Sequence, residues 1–238
     1  MREIELDARL GAIAARVAGC RHVADIGADH GRLACWLLEH DETLRMTVSD
    51  VSAPSLEKAR ILLTERGCAP RVRLCVADGL DALTEEADAI VIAGMGAKTI
   101  RDILIAGRDK IGRARLLLQP NLDVPRLRAF LWDSGFELID ETALHAAGRH
   151  YMLIEARLGE CFPAQPLSEK DAFLGAILAQ KRDSDTRMFY AWQQRVRQGE
   201  LGRLCAASTR TQAALDRAEE LKKELSWLEE VLCWASHR

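Results

Sequence analysis

A chain of 238 residues that is 48% apolar and 29% charged has the make-up of a soluble globular protein, with enough length to bury a sizeable core. The net charge of −3 excludes a chain coated in basic residues, though not a nucleic-acid partner met through a local patch. No apolar run approaches the roughly 18 residues a spanning helix needs, and no basic region leads into an apolar stretch at Met1 to Asp7, so neither a membrane nor a secretory signal is read and the cytoplasm is the expected location.

Leu6, Leu10, Ile13 and Val17 recur at helical spacing and predict a short amphipathic helix. Short apolar runs then alternate with helical stretches. Strands are predicted at His22 to Ile26, Met46 to Ser49, Val72 to Val76, Ala89 to Ile92 and Arg115 to Leu118. Helices are predicted at Gly31 to Glu39, Ser52 to Arg66, Ala97 to Ala106 and Val124 to Ser134. This alternation implies a parallel, doubly wound sheet with its ligand at the carboxyl ends of the strands. Phe136 to Glu141 and His150 to Arg157 also read as strands. The stretch Thr142 to Arg149 between them is too short for a crossover helix, so they pair as an antiparallel hairpin. A parallel sheet closed by such a hairpin is the outline of the Rossmann-like fold of methyltransferases that use S-adenosylmethionine (SAM).

Cys161 to Pro166, with two prolines, reads as a linker between residues 1–160 and a helical region at 167–238. Glu169 to Gln198 is expected to form one helix, with a turn back at Gly199 and Gly202. Leu204, Thr211, Ala218, Leu225 and Leu232 repeat every seven residues, as do Ala207, Ala214, Leu221, Leu228 and Ala235, predicting a coiled-coil-like helical hairpin. Its small seam residues suit packing within the chain, so a monomer or a weak homodimer is expected. The seven cysteines, at 20, 35, 68, 75, 161, 205 and 233, form no C-x-x-C pair. That disfavours zinc or any other metal centre and a disulfide framework, and predicts buried free thiols.

The chemistry gathers at the strand ends. After the first strand, Asp25-Ile26-Gly27-Ala28-Asp29-His30-Gly31 makes a glycine turn with two carboxylates, not the G-x-G-x-x-G of a dinucleotide site. Carboxylates repel a pyrophosphate but suit a cationic, hydroxyl-rich ligand, and SAM carries a sulfonium, an ammonium and a ribose. Asp50 ends the second strand, where a carboxylate binds ribose hydroxyls or caps the following helix. Asp78-Gly79 follows the third, with the same two readings: adenine amine or helix cap. Gly94-Met95-Gly96 follows the fourth, where missing side chains permit close backbone approach. Gln119-Pro120-Asn121 ends the fifth, and its amides suit a base edge or a stiff turn.

Asp25 to His30, Ile92 to Gly96 and Leu118 to Asn121, in this order and followed by a helical tail, resemble the TrmK family, the bacterial tRNA (adenine-22-N1)-methyltransferases. The likeness covers nearly the whole chain. It implies a Rossmann-like methyltransferase domain with a C-terminal coiled coil, SAM as methyl donor, and N1 of an adenosine in the tRNA D-arm as acceptor. Gly31-Arg32 and Ala97 depart from the family pattern, the first removing an aromatic side chain at position 32.

For that reaction the cofactor set is Asp25, Gly27, Asp50, Asp78, Gly79, Gly94, Met95 and Gly96. Asp29, with His30 second, is the expected catalytic carboxylate, aimed at the charge the ring acquires. Gln119, Pro120 and Asn121 are expected at the base. Lys181, Arg182, Arg187, Arg195 and Arg197, with Phe189, Tyr190 and Trp192 interleaved, are expected to meet phosphates and unstacked bases of tRNA. Two other readings remain open from the residues: a small-molecule methyltransferase whose tail is a lid or dimer arm, and a non-catalytic nucleotide-binding module that recruits a protein.

Overall fold

The computed structural model describes residues 4–206 and 211–233. A helix, α1 (Ala8–Arg16), comes first; the Asp7 carboxylate caps it by accepting from the Leu10 amide at 2.8 Å. Strands and helices then alternate through β1 (His22–Ile26), α2 (Arg32–His40), β2 (Arg45–Asp50), α3 (Ala53–Glu65), β3 (Val72–Val76), β4 (Ala89–Met95), α4 (Ala97–Ala106), the single turn α5 (Arg108–Ile111), β5 (Arg115–Pro120) and α6 (Val124–Asp133). The hairpin β6 (Phe136–Ala146) and β7 (Arg149–Leu158) follows. The tail holds α7 (Glu169–Leu174), α8 (Ser184–Ala206) and α9 (Gln212–Cys233).

One seven-stranded sheet runs in the order β3-β2-β1-β4-β5-β7-β6. The first five strands are parallel, while β7 is antiparallel to both β5 and β6. Because β1 and β4 are covered on both faces, every residue of β1 is buried, His22 and Asp25 included, and β4 begins with the continuous apolar run Ala89 to Ile92. Val23, Val48 and Val91 pack under α1, α2 and α3 with Leu33, Leu38 and Leu63. Ile26, Ile92 and Leu118 pack on the other side with Ile100, Leu104 and Leu127. Strand order reverses between β1 and β4, which opens a crevice at their carboxyl ends.

The hairpin strands are longer than expected. The ladder continues past Glu141 to the pair Ala146 with Arg149, and closes in a two-residue turn, Ala147-Gly148, with φ of 49° and 75°. Positive φ at both positions matches the right-handed twist of the flanking strands.

The tail differs more. Glu169 to Gln198 is not one helix, because Gly175, at φ 87°, ends α7, and α8 begins only at Ser184. A Cβ at Gly175 would come within 2.6 Å of both Arg128 and Glu141, so the chain must turn there without a side chain. Gly199 and Gly202 sit inside α8 and make no turn. Two helical glycines cost roughly 1 kcal/mol each, yet ion pairs to α9 clasp the helix on either side of Gly199. Arg197 meets Glu224 at 2.5 Å and Arg217 meets Glu200 at 2.9 Å. The falling partner numbers show that α8 and α9 run antiparallel. Of the expected seam, Leu221, Leu225 and Leu228 are buried, while Ala214 and Ala218 are half-buried and Thr211 is exposed. Ala207 and Ala235 lie outside the described residues.

Phe189 and Tyr190 are buried in the same apolar cluster as the sheet residues Leu116 and Leu118, together with Leu228 and Val231. They anchor the tail to the body and are not open to bases, contrary to the sequence expectation. Each large aromatic side chain buries more apolar surface than most others, so packing these two against the sheet outweighs leaving them open. Cys20, Cys35 and Cys68 are buried, but Cys161, Cys205 and Cys233 are exposed, since the linker and the outer helix faces meet solvent. Among the described residues no helix is long and apolar enough to cross a membrane, and no group of three or more His, Cys, Asp or Glu could hold a metal ion.

Candidate active site

The turn after β1 is shaped by its backbone. The Gly27 and Ala28 amides both donate to the Ser49 carbonyl, at 2.8 and 3.0 Å, so β1 stays tied to β2 while Gly27 takes φ 74°. The Met95 methyl lies 2.1 Å from where a Gly27 Cβ would stand. Met95, on the β4 end, therefore rests directly over the turn.

Two acids flank it. Asp50 accepts from the Asp29 amide at 3.2 Å and from the Ser52 amide at 2.8 Å. The helix cap is supplied by Ser52, whose hydroxyl accepts from the Ser55 amide, so Asp50 is not needed for capping α3. Asp25 is buried, and burial pushes its carboxyl up to about 7; Arg9 opposes that shift and the Asp50 charge adds to it. No donor among the described residues bonds to Asp25. Asp78 is exposed and makes no side-chain cap on the short 3-10 turn Gly79–Ala82, while Gly79 is buried against Ile103.

At the ends of β4 and β5 a second part of the site forms around a residue that sequence reading missed. Arg9, from α1, donates to the Gln119 side-chain oxygen at 2.9 Å. Gln119 is fully buried, and its amide nitrogen donates to Pro120 and Asn121 at 3.1 and 3.2 Å. Asn121 in turn donates to the Gly94 carbonyl at 2.6 Å. Gln119 is thus spent on holding the loops and has no edge left for a base. A cleft of about 420 Å³ opens here, walled by Asp7, Arg9, Gly94, Asn121, His150 and Tyr151. No local pattern announces Arg9; its partner lies 110 positions away.

Asp29 and His30 do not line this cleft. The Asp29 carboxylate meets the His30 ring at 3.0 Å, and the other ring nitrogen meets Lys58 of α3 at 3.1 Å, so both side chains turn to the β2 side. Arg32, at the position where the family pattern has an aromatic residue, donates to the Glu5 carbonyl at 2.9 Å and pins the segment leading into α1. On the tail, Lys181 is paired with Asp140 at 2.7 Å, and Arg182 bonds the Ala179 carbonyl at 2.9 Å. Arg187 and Arg195 are exposed, with no partner among the described residues. Trp192 is half-buried and stacks on His150, with ring centroids 4.8 Å apart. A larger groove, about 930 Å³, opens beside Trp132, Phe136 and Arg157 at the opposite end of the sheet, and none of the expected site residues lines it.

The family model for tRNA (adenine(22)-N(1))-methyltransferase matches residues 23–230, which contain every strand end just described. The chain belongs to the TrmK family. The Bacillus subtilis tRNA (adenine(22)-N(1))-methyltransferase is 33% identical over 162 residues, 67% of this chain and 68% of that one. The crystal structure of the B. subtilis M1A22 tRNA methyltransferase TrmK superposes with a TM-score of 0.80 at 26% identity, covering 97% of this chain and all of that one. A Streptococcus pneumoniae protein solved in complex with S-adenosyl-L-methionine superposes at 0.79 with 27% identity, over 96% of this chain and all of that one. The mitomycin 7-O-methyltransferase MmcR covers only 63% of this chain, at a TM-score of 0.54, and shares the fold alone.

Proposed function

We propose that this TrmK-family chain transfers a methyl group from SAM to N1 of adenosine 22 in tRNA, in the cytoplasm and as a monomer or weak homodimer. The match over residues 23–230 carries the reading, since it spans the strand-end site and most of the tail together. Residues 1–160 serve as the methyltransferase domain and 167–238 as the tRNA-binding helical region.

The donor set of the site fits SAM. Asp50 keeps acceptor capacity beyond its two backbone donors, as a vicinal diol requires. Asp25 is a buried acid without a bonded donor, suited to an ammonium. Gly27, lacking a side chain, lets Met95 close over the turn, and Asp78 stands free beside Gly79 for an amine. Gly94 and Gly96 flank the place where donor and acceptor meet. Bound there, SAM supplies an electrophilic methyl group.

Adenine N1 carries an in-plane lone pair, so the chain needs no strong general base. Its task is to bind, orient and exclude water. N1 lies on the Watson–Crick edge, so the nucleotide must leave its pair before it can enter. The Arg9–Gln119–Asn121 chain of hydrogen bonds holds the two loops that would face it. Pro120 stiffens the second of these loops. We assign Asp29 and His30 to the rim of the cofactor site, given their contacts with the β2 side.

Incubation with labelled SAM and unmodified tRNA, followed by nucleoside analysis, should place label in N1-methyladenosine. Label confined to N6-methyladenosine or methylated guanosine would overturn the assignment. For the tail, replacing Arg187 and Arg195 by Glu should abolish tRNA binding and leave SAM binding intact. Unchanged tRNA affinity would remove those residues from the interface.

A further inference from the structure

A cleft lies between α1, the β4 and β5 loops and the hairpin tip. At about 420 Å³ it falls within the roughly 300–1,000 Å³ of small-ligand sites. Tyr151 offers an aromatic wall, and the Arg9 guanidinium sits 5.8 Å from the centre of that ring. The Gly94 carbonyl and the Asn121 amide are held in place by Gln119. Asp7 puts a carboxylate into the same space. One of its oxygens caps α1 and the other lies 3.8 Å from the Arg9 Nε.

The exit from the cleft is cationic. Arg149, at the exposed hairpin tip, also lines it. Beyond, the His150–Trp192 stack leads to Arg195 on α8. An aromatic wall, fixed polar groups and a carboxylate inside, with cations at the rim, suit a nucleotide entering base first with its phosphates left outside.

We infer that this cleft receives the nucleotide extruded from the RNA, with Tyr151 as the face on which the base lies and Asp7 as the carboxylate nearest the base. The inference rests on the methyl-transfer reading for its chemistry. On methylation at N1 the base becomes a cation, and a fixed carboxylate beside it lowers the energy of that charge as it forms. Asp7 thereby takes the electrostatic role that the sequence suggested for Asp29. Arg149 holds a flanking phosphate.

The test uses the full chain and adenosine 5′-monophosphate as probe, with binding followed by NMR. Wild type should bind the probe. Tyr151→Ala should weaken that binding about 5- to 150-fold, the range for losing one stacked base, while Tyr151→Phe retains it. On tRNA, Tyr151→Ala should lower kcat/KM with SAM affinity unchanged by calorimetry. Asp7→Asn keeps an N-capping side chain and should lower kcat about tenfold with KM for tRNA unaltered. Probe binding that ignores Tyr151, or wild-type turnover in both Tyr151→Ala and Asp7→Asn, overturns the inference while leaving the tRNA reaction in place. Tyr151-dependent probe binding in a protein that methylates no tRNA supports the cleft and overturns the reaction.

Discussion

Arg128→Ala should cost this protein a large share of its stability, through one buried ion pair. Arg128 on α6 and Glu141 on β6 are 2% and 0% exposed and hydrogen-bonded to each other. The guanidinium also donates to the Ala172 and Phe173 carbonyls at 3.0 and 2.9 Å, and Glu141 accepts from the Leu178 amide at 3.1 Å. These bonds weld α7 and the segment after Gly175 to the sheet. Removing Arg128 leaves a buried carboxylate with a single donor and frees two carbonyls. Stranding one partner of such a pair costs roughly 3–5 kcal/mol, against a total margin of about 5–15 kcal/mol for a folded domain. Urea unfolding followed by tryptophan fluorescence measures the loss. Lys170→Ala is the control, because the Lys170–Glu230 pair at 2.7 Å is 37% and 67% exposed and should change stability by less than about 1 kcal/mol. If Arg128→Ala costs no more than Lys170→Ala, the welding role assigned to this pair is wrong.

Other outcomes follow from the same structure. Asp25 stands at about 7 in the fold against 3.8 when free, so the folded chain keeps a proton that the unfolded chain loses between those values. The stability this contributes is complete below the lower value and gone above the upper one, by about 4 kcal/mol at most. Asp25→Asn should therefore gain on wild type as pH rises through that window, in denaturation midpoints; a constant difference refutes it. Gly27→Ala meets a positive φ and the Met95 methyl, and should weaken SAM binding at least about tenfold by calorimetry. A fragment of residues 1–160 uncovers the face that Phe189, Tyr190 and Leu228 pack against, and should aggregate in sedimentation runs; a stable, monodisperse fragment would show that the tail is a separate folding unit.

Much of the methyltransferase body was legible in the chain because its signals are local. Continuous apolar runs such as Ala89 to Ile92 mark strands buried on both faces, and the glycines after them mark turns at the carboxyl ends, where such sheets bind ligands. Asp50 could be placed at the end of β2 from spacing alone. That Ser52, not Asp50, caps the next helix needed the hydrogen bonds themselves.

The tail was less legible. On α8 the apolar residues are not gathered on one stripe, unlike the seam of α9, so its inward face cannot be told from the outward one in sequence. Tyr190 was expected to reach RNA, but its hydroxyl donates to the Leu174 carbonyl at 2.8 Å inside the core. Glycine also misled: as a local signal it marks a turn, but Gly199 and Gly202 stay inside α8, with ion pairs to α9 on either side of Gly199.

By itself, then, the order of residues determined the alternating body, the acidic glycine turn after β1 and the likeness to the TrmK family. Only the tertiary structure decided what surrounds the turn. It brought Arg9 to Gln119 across 110 positions and set Asp7 and Tyr151 on one cleft, while Asp29 turned toward His30 and α3. The physical reason is that periodicity and turn chemistry act over a few residues, whereas a site's walls come from wherever long-range packing closes the sheet.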